Sequence, residues 1–335
     1  MHQVDISQAD LNGICLDVRS PQEFAKAHIP GALNLPLLLD DERAQVGTCY
    51  QRRGREPAVL LGLRLVGARL ADLAEQARTY CKGKQKALVY CWRGGERSAS
   101  MVWLLQKVGL DVVQLRGGYK AYRQFIRSSL ERPLPLRVLG GFTGSGKTEV
   151  LALLRERGQQ VIDLEGLANH KGSAFGHLGQ RPQPSGEMFE NLLAQQWLHL
   201  NPDRPVWIED ESHLIGCCYL PDPLWTQIRA APLTFLKIPQ ASRIDYLLRD
   251  YPQVQAELIR QSLERIQRRL GGLRFRQACD ALEQNDWPEL LRIILGYYDQ
   301  AYLHGMSRRP QENLLEIAMD QVNPEQAVRT LLNER

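Results

Sequence analysis

The chain of 335 residues lacks the features that would assign it to several large classes of protein. Its seven cysteines, an odd number, include no CxxC pair, which fits neither a disulfide framework nor a zinc site. No stretch approaches the roughly 18 apolar residues that a membrane-spanning helix needs. The opening residues show neither the basic nor the apolar region of a secretion signal. We therefore expect a protein of the reducing cytoplasm that has no membrane partner.

Strong net charge, internal repeats and low-complexity tracts are absent as well. The formal charge is +4, which permits nucleic-acid binding without demanding it, because affinity for phosphates depends on where basic residues cluster. The arginines cluster in two places: Arg52, Arg53 and Arg55, and Arg265, Arg268, Arg269, Arg274 and Arg276. Such clusters are usually solvated helix faces. The composition, 44% hydrophobic and 24% charged, is that of a globular protein long enough for two domains.

The pattern over residues 5–130 predicts one α/β domain. We expect apolar strands at about 13–18, 86–90 and 111–115, helices at 21–27, 65–82 and 98–108, and a closing turn at Gly117-Gly118. Strands that alternate with helices favour a parallel, doubly wound sheet.

A second α/β domain is predicted for residues 137–335, after a linker at residues 131–136. Pro133 and Pro135 exclude a helix or a central strand in that linker. The expected elements are strands at 137–141, 160–164 and 205–210 and a helix at 147–157. From about residue 253 to Leu332 the pattern is helical, which predicts a helical C-terminal region.

Cys91 lies in a loop whose composition suits a reactive thiol. It follows the apolar strand 86–90 and precedes a predicted helix, with Arg93 and Arg97 close by in the sequence. A helix N-terminus and guanidinium groups favour the thiolate, which is the nucleophilic form, and Gly94-Gly95 lets backbone amides converge on an anion. We predict Cys91 as the nucleophile and Arg93 and Arg97 as its catalytic partners. The other six cysteines lack such surroundings and are expected to be structural.

A complete phosphate-binding loop lies at residues 141–148, between a predicted strand and a predicted helix. It fits the Walker A pattern, and its predicted phosphate- or diphosphate-binding residues are Gly141, Thr143, Gly144, Ser145, Gly146, Lys147 and Thr148. The glycines let backbone amides face phosphate oxygens, Lys147 supplies positive charge, and Thr148 can ligate Mg²⁺.

Acidic residues that could complete a magnesium site follow two of the strands. The apolar run 206–208 ends in Glu209, Asp210 and Glu211, as a Walker B strand would. Asp210 is the first choice for the phosphate and metal site, with Glu209 or Glu211 as alternatives. Residues 163–166, Asp-Leu-Glu-Gly, end another strand and could meet the same site. No guanine-reading Asn/Thr-Lys-x-Asp motif occurs, so the loop predicts a polyphosphate ligand without specifying ATP.

The first half of the chain resembles a rhodanese domain from end to end. The resemblance is carried by residues 17–24 (Asp-Val-Arg-Ser-Pro-Gln-Glu-Phe), residues 28–32 (His-Ile-Pro-Gly-Ala), the cysteine loop, and residues 116–119 (Arg-Gly-Gly-Tyr). It implies that Asp17 and Arg19 brace the active-site loop. The C-x5-R spacing from Cys91 to Arg97 is one residue longer than in sulfurtransferase rhodaneses and resembles rhodanese-like phosphatases, so we expect a wider pocket.

A rhodanese-like half followed by a P-loop half is similar to the tRNA 2-selenouridine synthase family, over nearly the whole chain. Further strings that carry this resemblance are residues 40–48, 163–176, 189–193, 208–212 and 297–299. Neither parent domain contains these strings in general, so the resemblance is specific.

The resemblance implies replacement of sulfur by selenium in 2-thiouridine at wobble position 34 of tRNAs for Lys, Glu and Gln. Geranyl diphosphate would alkylate the 2-thio group, and selenophosphate from selenophosphate synthetase would then supply selenium through a perselenide on Cys91. Arg93, Arg97 and the loop amides would place selenophosphate and stabilise the departing phosphate. The phosphate loop would cradle geranyl diphosphate, with Mg²⁺ on Thr148 and Asp210, and no tightly bound cofactor is expected.

With a tRNA substrate, the basic clusters gain a role beyond solvation. Both clusters are then expected to contact the tRNA backbone, the second through Arg265, Arg268 and Arg269, and Trp92 could stack on the wobble base. One alternative is a rhodanese-type sulfurtransferase or phosphatase fused to an ATP-dependent small-molecule kinase. Another is a non-enzymatic RNA-binding regulator, which the intact Cys91 and Lys147 disfavour.

Overall fold

The computed structural model describes residues 3–81, 86–249, 255–307, 309 and 313–333. The chain divides into two compact units, Met1–Ser129 and Leu130–Arg335. The predicted linker packs on the second unit. Arg132 donates to the carbonyl of Trp197 at 3.1 Å, and the amide of Leu134 donates to the side chain of Gln227 at 3.2 Å.

The first unit is built on a five-stranded sheet. Its strands are β1 Gln3–Val4, β2 Ile14–Asp17, β3 Leu33–Asn34, β4 Ala87–Tyr90 and β5 Val112–Leu115; its α-helices are α1 Pro21–Lys26, α2 Asp40–Arg53, α3 Arg55–Val66, α4 Leu70–Cys81, α5 Glu96–Lys107 and α6 Gly118–Ser129; short 3₁₀ helices lie at Ile6–Gln8 and Gly67–Arg69. The strand order is β1-β5-β4-β2-β3, and every pairing is parallel. All four residues of β4 are buried, as expected for a central strand of a parallel sheet.

The sequence patterns do not predict the helical hairpin formed by α2 and α3. They predict one helix over 65–82, whereas α3 ends at Val66 and α4 begins at Leu70. No residue of α2 is buried, so the helix carries no apolar stripe that a periodicity could reveal. Its acidic first turn and basic last turn, which complement the helix dipole, stabilise it instead.

The second unit contains a five-stranded sheet and a group of long helices. Its strands are β6 Leu136–Gly141, β7 Gln160–Ile162, β8 Val206–Glu209, β9 Leu214–Ile215, β10 Cys218–Tyr219, β11 Leu233–Lys237 and β12 Leu314–Ala318; its helices are α7 Lys147–Glu156, α8 Leu164–Ala168, α9 Gly186–Leu198, α10 Asp222–Ala230, α11 Gln240–Leu247, α12 Ala256–Leu270, α13 Gly272–Glu283, α14 Trp287–Met306 and α15 Pro324–Asn333. The order β12-β11-β6-β8-β7 is parallel throughout, and β9 and β10 form a separate antiparallel hairpin. The predicted α/β fold class is confirmed.

The C-terminal region is only partly helical. Helices α12, α13 and α14 pack around a shared apolar core that includes Leu263, Ile266, Leu282 and Leu290. The structure corrects the prediction at β12, which lies inside the expected helical region and pairs with β11 at the edge of the sheet. The predicted helical onset at about residue 253 lies outside the described residues.

Strands β6, β7 and β8 bring the predicted phosphate site together. Because they are parallel, their carboxyl ends lie at the same edge of the sheet, where ligands of such folds bind. The phosphate loop follows β6, residues 163–166 follow β7, and the acidic run follows β8.

Candidate active sites

The cysteine loop is fixed by the backbone of the turn between β5 and α6. Gly94 and Gly118 have φ of +66° and +58°. A Cβ on Gly118 would lie 2.3 Å from the carbonyl oxygen of Cys91, and one on Gly94 would lie 2.7 Å from that of Leu115. The amide of Tyr119 donates to the Cys91 carbonyl at 2.8 Å. Only glycine permits this close approach, so the turn holds the loop in one shape.

The thiol of Cys91 is buried against a hydroxyl that the sequence analysis did not identify. Its Sγ lies 3.2 Å from Oγ of Ser98, the third residue of α5. Ser98 in turn contacts the carbonyl of Gly95 at 3.1 Å and accepts a hydrogen bond from Nε2 of Gln114 at 2.8 Å. The hydroxyl proton can therefore point to the carbonyl or to a sulfur anion. The available signal was Gln114 itself, a polar residue inside the apolar strand β5.

The two predicted arginine partners differ in their surroundings. Arg97 donates through Nη1 to Oε2 of Glu23 at 2.6 Å. Burial alone would raise the pKa of Glu23, but the hydrogen bond and charge of Arg97 outweigh it and lower that pKa. Arg93 is exposed and has no hydrogen bond or ion pair to any residue of the described ranges. Among the described residues, Arg93 and the loop amides are the groups left open to an anion.

The buried ion pair of Asp17 and Arg19 supports the cysteine loop, as the rhodanese resemblance implies. Both side chains are buried, with Nη2 of Arg19 at 2.6 Å from Oδ2 of Asp17. The guanidinium of Arg19 also lies 3.9 Å from the ring centre of Tyr119, whose amide binds the Cys91 carbonyl. The ion pair thus helps to fix the position of Cys91 indirectly, because Arg19 packs against the ring of Tyr119.

The phosphate loop has the geometry of an anion cradle. Gly144 and Gly146 have φ of +83° and +75°, and Gly146 leads into the first turn of α7. Lys147 donates through Nζ to the carbonyl of Gly141 at 2.9 Å, which holds its charge over the loop. The Oγ of Ser145 is buried and has no hydrogen-bond partner within the described part of the chain. A bound phosphate would supply that partner.

Acidic residues from β7 and β8 converge beside the loop. Thr148 donates through Oγ1 to Oε2 of Glu165 at 3.1 Å, and the amide of Glu165 donates to Oε2 of Glu209 at 2.9 Å. Burial, followed by the charges of Glu165 and Asp163, raises the pKa of Glu209 well above its ordinary value. Burial and Glu165 raise the pKa of Glu211 as well, against the opposing charge of Lys147. The prediction that residues 163–166 meet the phosphate loop is confirmed.

This acidic group fits a divalent cation. Oε1 of Glu209 is buried without a hydrogen-bond partner among the described residues, and the crowded carboxylates destabilise one another. Hard carboxylate and hydroxyl oxygens are the ligands that Mg²⁺ prefers. Among the described residues, no group of three or more His, Cys, Asp and Glu side chains is arranged to hold a metal ion by itself, so Thr148 and bound phosphates would have to complete the shell.

Asp210, the first choice for the metal site, is engaged elsewhere. Tyr302 donates to its Oδ2 at 2.6 Å, and Arg309 donates through Nη2 to its Oδ1. Side chains alternate along a strand, so Glu209 and Asp210 extend in different directions. The structure thus places Glu165, rather than Asp210, against Thr148, and Asp210 ties β8 to α14.

A second buried arginine holds the phosphate loop from α11. Arg243 donates through Nη1 to the carbonyl of Thr143 at 3.0 Å and through Nε to that of Ile238 at 3.1 Å. It also makes a two-pronged ion pair with Asp299 of α14, at 3.0 and 2.7 Å. A Cβ on Gly144 would lie 2.9 Å from Leu247, so α11 packs directly on the loop. No local sequence pattern marks Arg243.

The predicted tRNA-binding arginines lie on α12. Arg265, Arg268 and Arg269 are exposed, three and four residues apart, and so share one helix face. Nη1 of Arg265 lies 3.4 Å from Nε2 of His177. Their role in tRNA binding stays a prediction.

Comparisons with known proteins agree with this arrangement. Residues 5–125 match the rhodanese-like domain, and residues 134–330 match the family described as the tRNA 2-selenouridine synthase AAA domain. Across the parts of the chain that the structure covers, no helix is long and apolar enough to cross a membrane.

Curated relatives resemble the chain over most of its length. The tRNA 2-selenouridine synthase of Hahella chejuensis is 38% identical, covering 88% of this chain and 86% of the relative. That of Nitrosomonas europaea is 35% identical (92% and 94%), and that of Pseudomonas fluorescens strain Pf0-1 is 39% identical (86% and 87%). With two domain matches in this order and relatives this similar, the chain belongs to the tRNA 2-selenouridine synthase family.

Proposed function

We propose that this protein replaces sulfur by selenium in 2-thiouridine at wobble position 34 of tRNA, by geranylation followed by selenation. The observation that carries the proposal is the presence of two different anion-binding loops in one chain. One surrounds the thiol of Cys91. The other contains Lys147, bound to the carbonyl of Gly141, and the buried hydroxyl of Ser145, which has no hydrogen-bond partner among the described residues. Geranylation requires a site that binds diphosphate, and selenation requires a group that carries selenium, such as a thiol.

The phosphate loop serves the first step by holding geranyl diphosphate. The bond between C1 of the geranyl group and the diphosphate oxygen breaks, a bond from the 2-thio sulfur to C1 forms, and the uridine loses its N3 proton. Lys147 and the amides of residues 143–148 bind the leaving diphosphate. Mg²⁺, held by Thr148 with Glu165, Glu209 or Glu211, would neutralise the charge that develops on it.

Cys91 serves the second step as the carrier of selenium. Its thiolate attacks the selenium of selenophosphate, so an S–Se bond forms, the Se–P bond breaks, and the electron pair leaves with phosphorus as phosphite. The perselenide then attacks C2 of the geranylated uridine and expels geranylthiolate. A small cellular thiol cleaves the remaining Se–S bond, which releases 2-selenouridine and leaves a disulfide that a second thiol reduces.

Each group around the thiol has a part in that step. Arg93 and the loop amides bind the oxygens of selenophosphate, while Arg97, held by Glu23, shapes the wall of the loop. Ser98 turns its hydroxyl towards the sulfur when the thiolate forms. The substrates are the tRNAs for Lys, Glu and Gln, and selenophosphate synthetase supplies the selenium donor.

Nucleoside mass spectrometry tests the proposal. Purified protein receives geranyl diphosphate, Mg²⁺ and thiolated tRNA without any nucleoside triphosphate, and then selenophosphate with dithiothreitol. We expect geranylated 2-thiouridine first and 2-selenouridine second. If geranylated tRNA forms only after ATP is added, the loop binds a nucleotide and the kinase alternative is favoured.

Phosphorus NMR of the same reaction tests the carrier role separately. Phosphite together with selenium bound to Cys91 is expected. Orthophosphate as the sole phosphorus product of selenophosphate, with no selenium on Cys91, contradicts the perselenide and indicates direct transfer from selenophosphate to C2.

A further inference from the structure

The hairpin of α2 and α3 ends in a basic tip that the proposed chemistry does not use. The hairpin tip comprises residues 50–55, Tyr-Gln-Arg-Arg-Gly-Arg. The chain reverses at Gly54, whose φ is +84°, so the last turn of α2 and the first turn of α3 lie side by side. Arg52, Arg53 and Arg55 are all exposed, and 59% of Tyr50 is exposed.

An ion pair anchors the hairpin tip to the cysteine loop. Arg55 donates to Oε1 of Glu96 through Nη2 at 2.5 Å and through Nε at 3.2 Å. Glu96 is the first residue of α5 and lies between Cys91 and Arg97 in the cysteine loop. The tip is therefore a neighbour of the nucleophile loop, although some forty residues separate the two in sequence.

The stability of the hairpin does not account for the three arginines of the tip. The dipole of α2 favours Arg52 and Arg53 at its C-terminal end, but the first turn of α3 disfavours Arg55. Arg52 and Arg53 make no hydrogen bond or ion pair with any described residue. Surface ion pairs contribute little to stability, so the pair of Arg55 with Glu96 does not explain the cluster.

The surroundings of the tip also suit an RNA strand. Arg93 adds a further exposed guanidinium on the cysteine loop, without an ion pair to any described residue, and Trp92, 39% exposed, presents a ring next to the nucleophile. Exposed arginines beside exposed aromatic rings are the combination that binds single-stranded RNA, since the arginines bind phosphates and the rings stack on unpaired bases. A small anion such as selenophosphate would occupy only part of this surface.

We propose that the hairpin tip binds the backbone of the RNA strand next to the nucleotide modified at Cys91. Arg52 and Arg53 contact phosphates of the anticodon loop, and Arg55, fixed by Glu96, positions the tip. This inference rests on the proposed function, because it takes tRNA as the substrate.

The test compares two double variants of the full-length protein. Arg52→Gln with Arg53→Gln removes two charges from the tip. Arg64→Gln with Lys107→Gln removes two charges from the same unit, at the ends of α3 and α5 that lie away from the tip. Affinity for a thiolated anticodon stem-loop is measured between low and moderate salt. All four side chains are exposed, so both variants should melt as the parent protein does.

The tip variant should lose about 1.4 units from the slope of log affinity against log salt, at about 0.7 per lost phosphate contact to a single strand. The matched variant should keep the parent slope. Equal slopes in both variants overturn the inference. A raised KM for selenophosphate with unchanged RNA affinity overturns it too, because the tip then serves the selenium donor. If the parent protein does not modify tRNA at all, the proposed function fails. If the parent modifies tRNA and the tip variant binds it normally, only the inference about the hairpin tip fails.

Discussion

Replacing Arg243 by Met should destabilise the second unit and loosen the phosphate loop. The side chain is 2% exposed and donates four hydrogen bonds, two of them to Asp299 and one to the carbonyl of Thr143. Met fills a similar volume but offers no donor. Asp299 and two carbonyls would then lose their partner in a mostly dry site.

The expected loss of unfolding free energy is large. Removing one member of a buried ion pair costs about 3–5 kcal/mol. At roughly 2–4 °C per kcal/mol for a unit of about 200 residues, the calorimetric transition of this unit should move down by about 6–20 °C. Inorganic diphosphate, measured by titration calorimetry, should bind more weakly because Thr143 is no longer held.

An exposed arginine in an ion pair provides the control. Arg260 pairs with Glu283 at 2.8 Å on the helical surface, and Arg260→Gln should leave both the melting temperature and diphosphate binding close to those of the parent. Adding Asp299→Leu to Arg243→Met should recover part of the stability, because no unpaired charge remains. If Arg243→Met melts with the control, the buried pair does not support the unit and this reasoning is wrong.

Four further outcomes are expected. Cys91→Ser should leave 2-thiouridine and its geranylated form in tRNA but no 2-selenouridine, as read by nucleoside mass spectrometry. Lys147→Ala should slow geranylation at least tenfold, since a charge-assisted contact contributes about 1.5–3 kcal/mol, yet still convert pre-geranylated tRNA. Replacing the three tRNA-directed arginines of α12 by Ala should lower the salt slope of tRNA affinity by roughly one unit per lost contact. The pKa of Glu209 is raised, so its contribution to stability is fully present below the ordinary glutamate pKa and is lost as pH rises through the raised value. Without Mg²⁺, the melting temperature should therefore fall over that pH range. It should fall less with Mg²⁺ present or in the Glu209→Gln variant.

The sequence predicts those features of the fold and of the sites that depend on residues close together in the chain. The phosphate loop and the cysteine loop are contiguous strings between a strand and a helix, and both appear where the patterns place them. The partners of those strings come from far away: Arg243 reaches Thr143 from another helix, and Ser98 depends on Gln114 of β5. No periodicity encodes such contacts.

Two predictions, the choice of Asp210 and the helix at β12, differ from the structure because both depend on contacts that are distant in the sequence. Three consecutive acids at the end of β8 do not reveal which one faces the phosphate loop, because that depends on Tyr302 and Arg309, which bind Asp210. Strand β12 has the apolar composition of its helical neighbours, and only its pairing with β11 makes it a strand.

The late position of β12 and α15 in the chain has a consequence for biosynthesis. Leu233 of β11 pairs with Leu314, and Val322 fills the space against which Gly146 of the phosphate loop packs. Val328 and Leu331 share a core with Val150 and Leu151 of the helix that follows that loop. The supports of the phosphate loop are therefore synthesised long after the loop itself. This unit can complete its folding only after α15 has been translated, and it has the high contact order that makes folding slow.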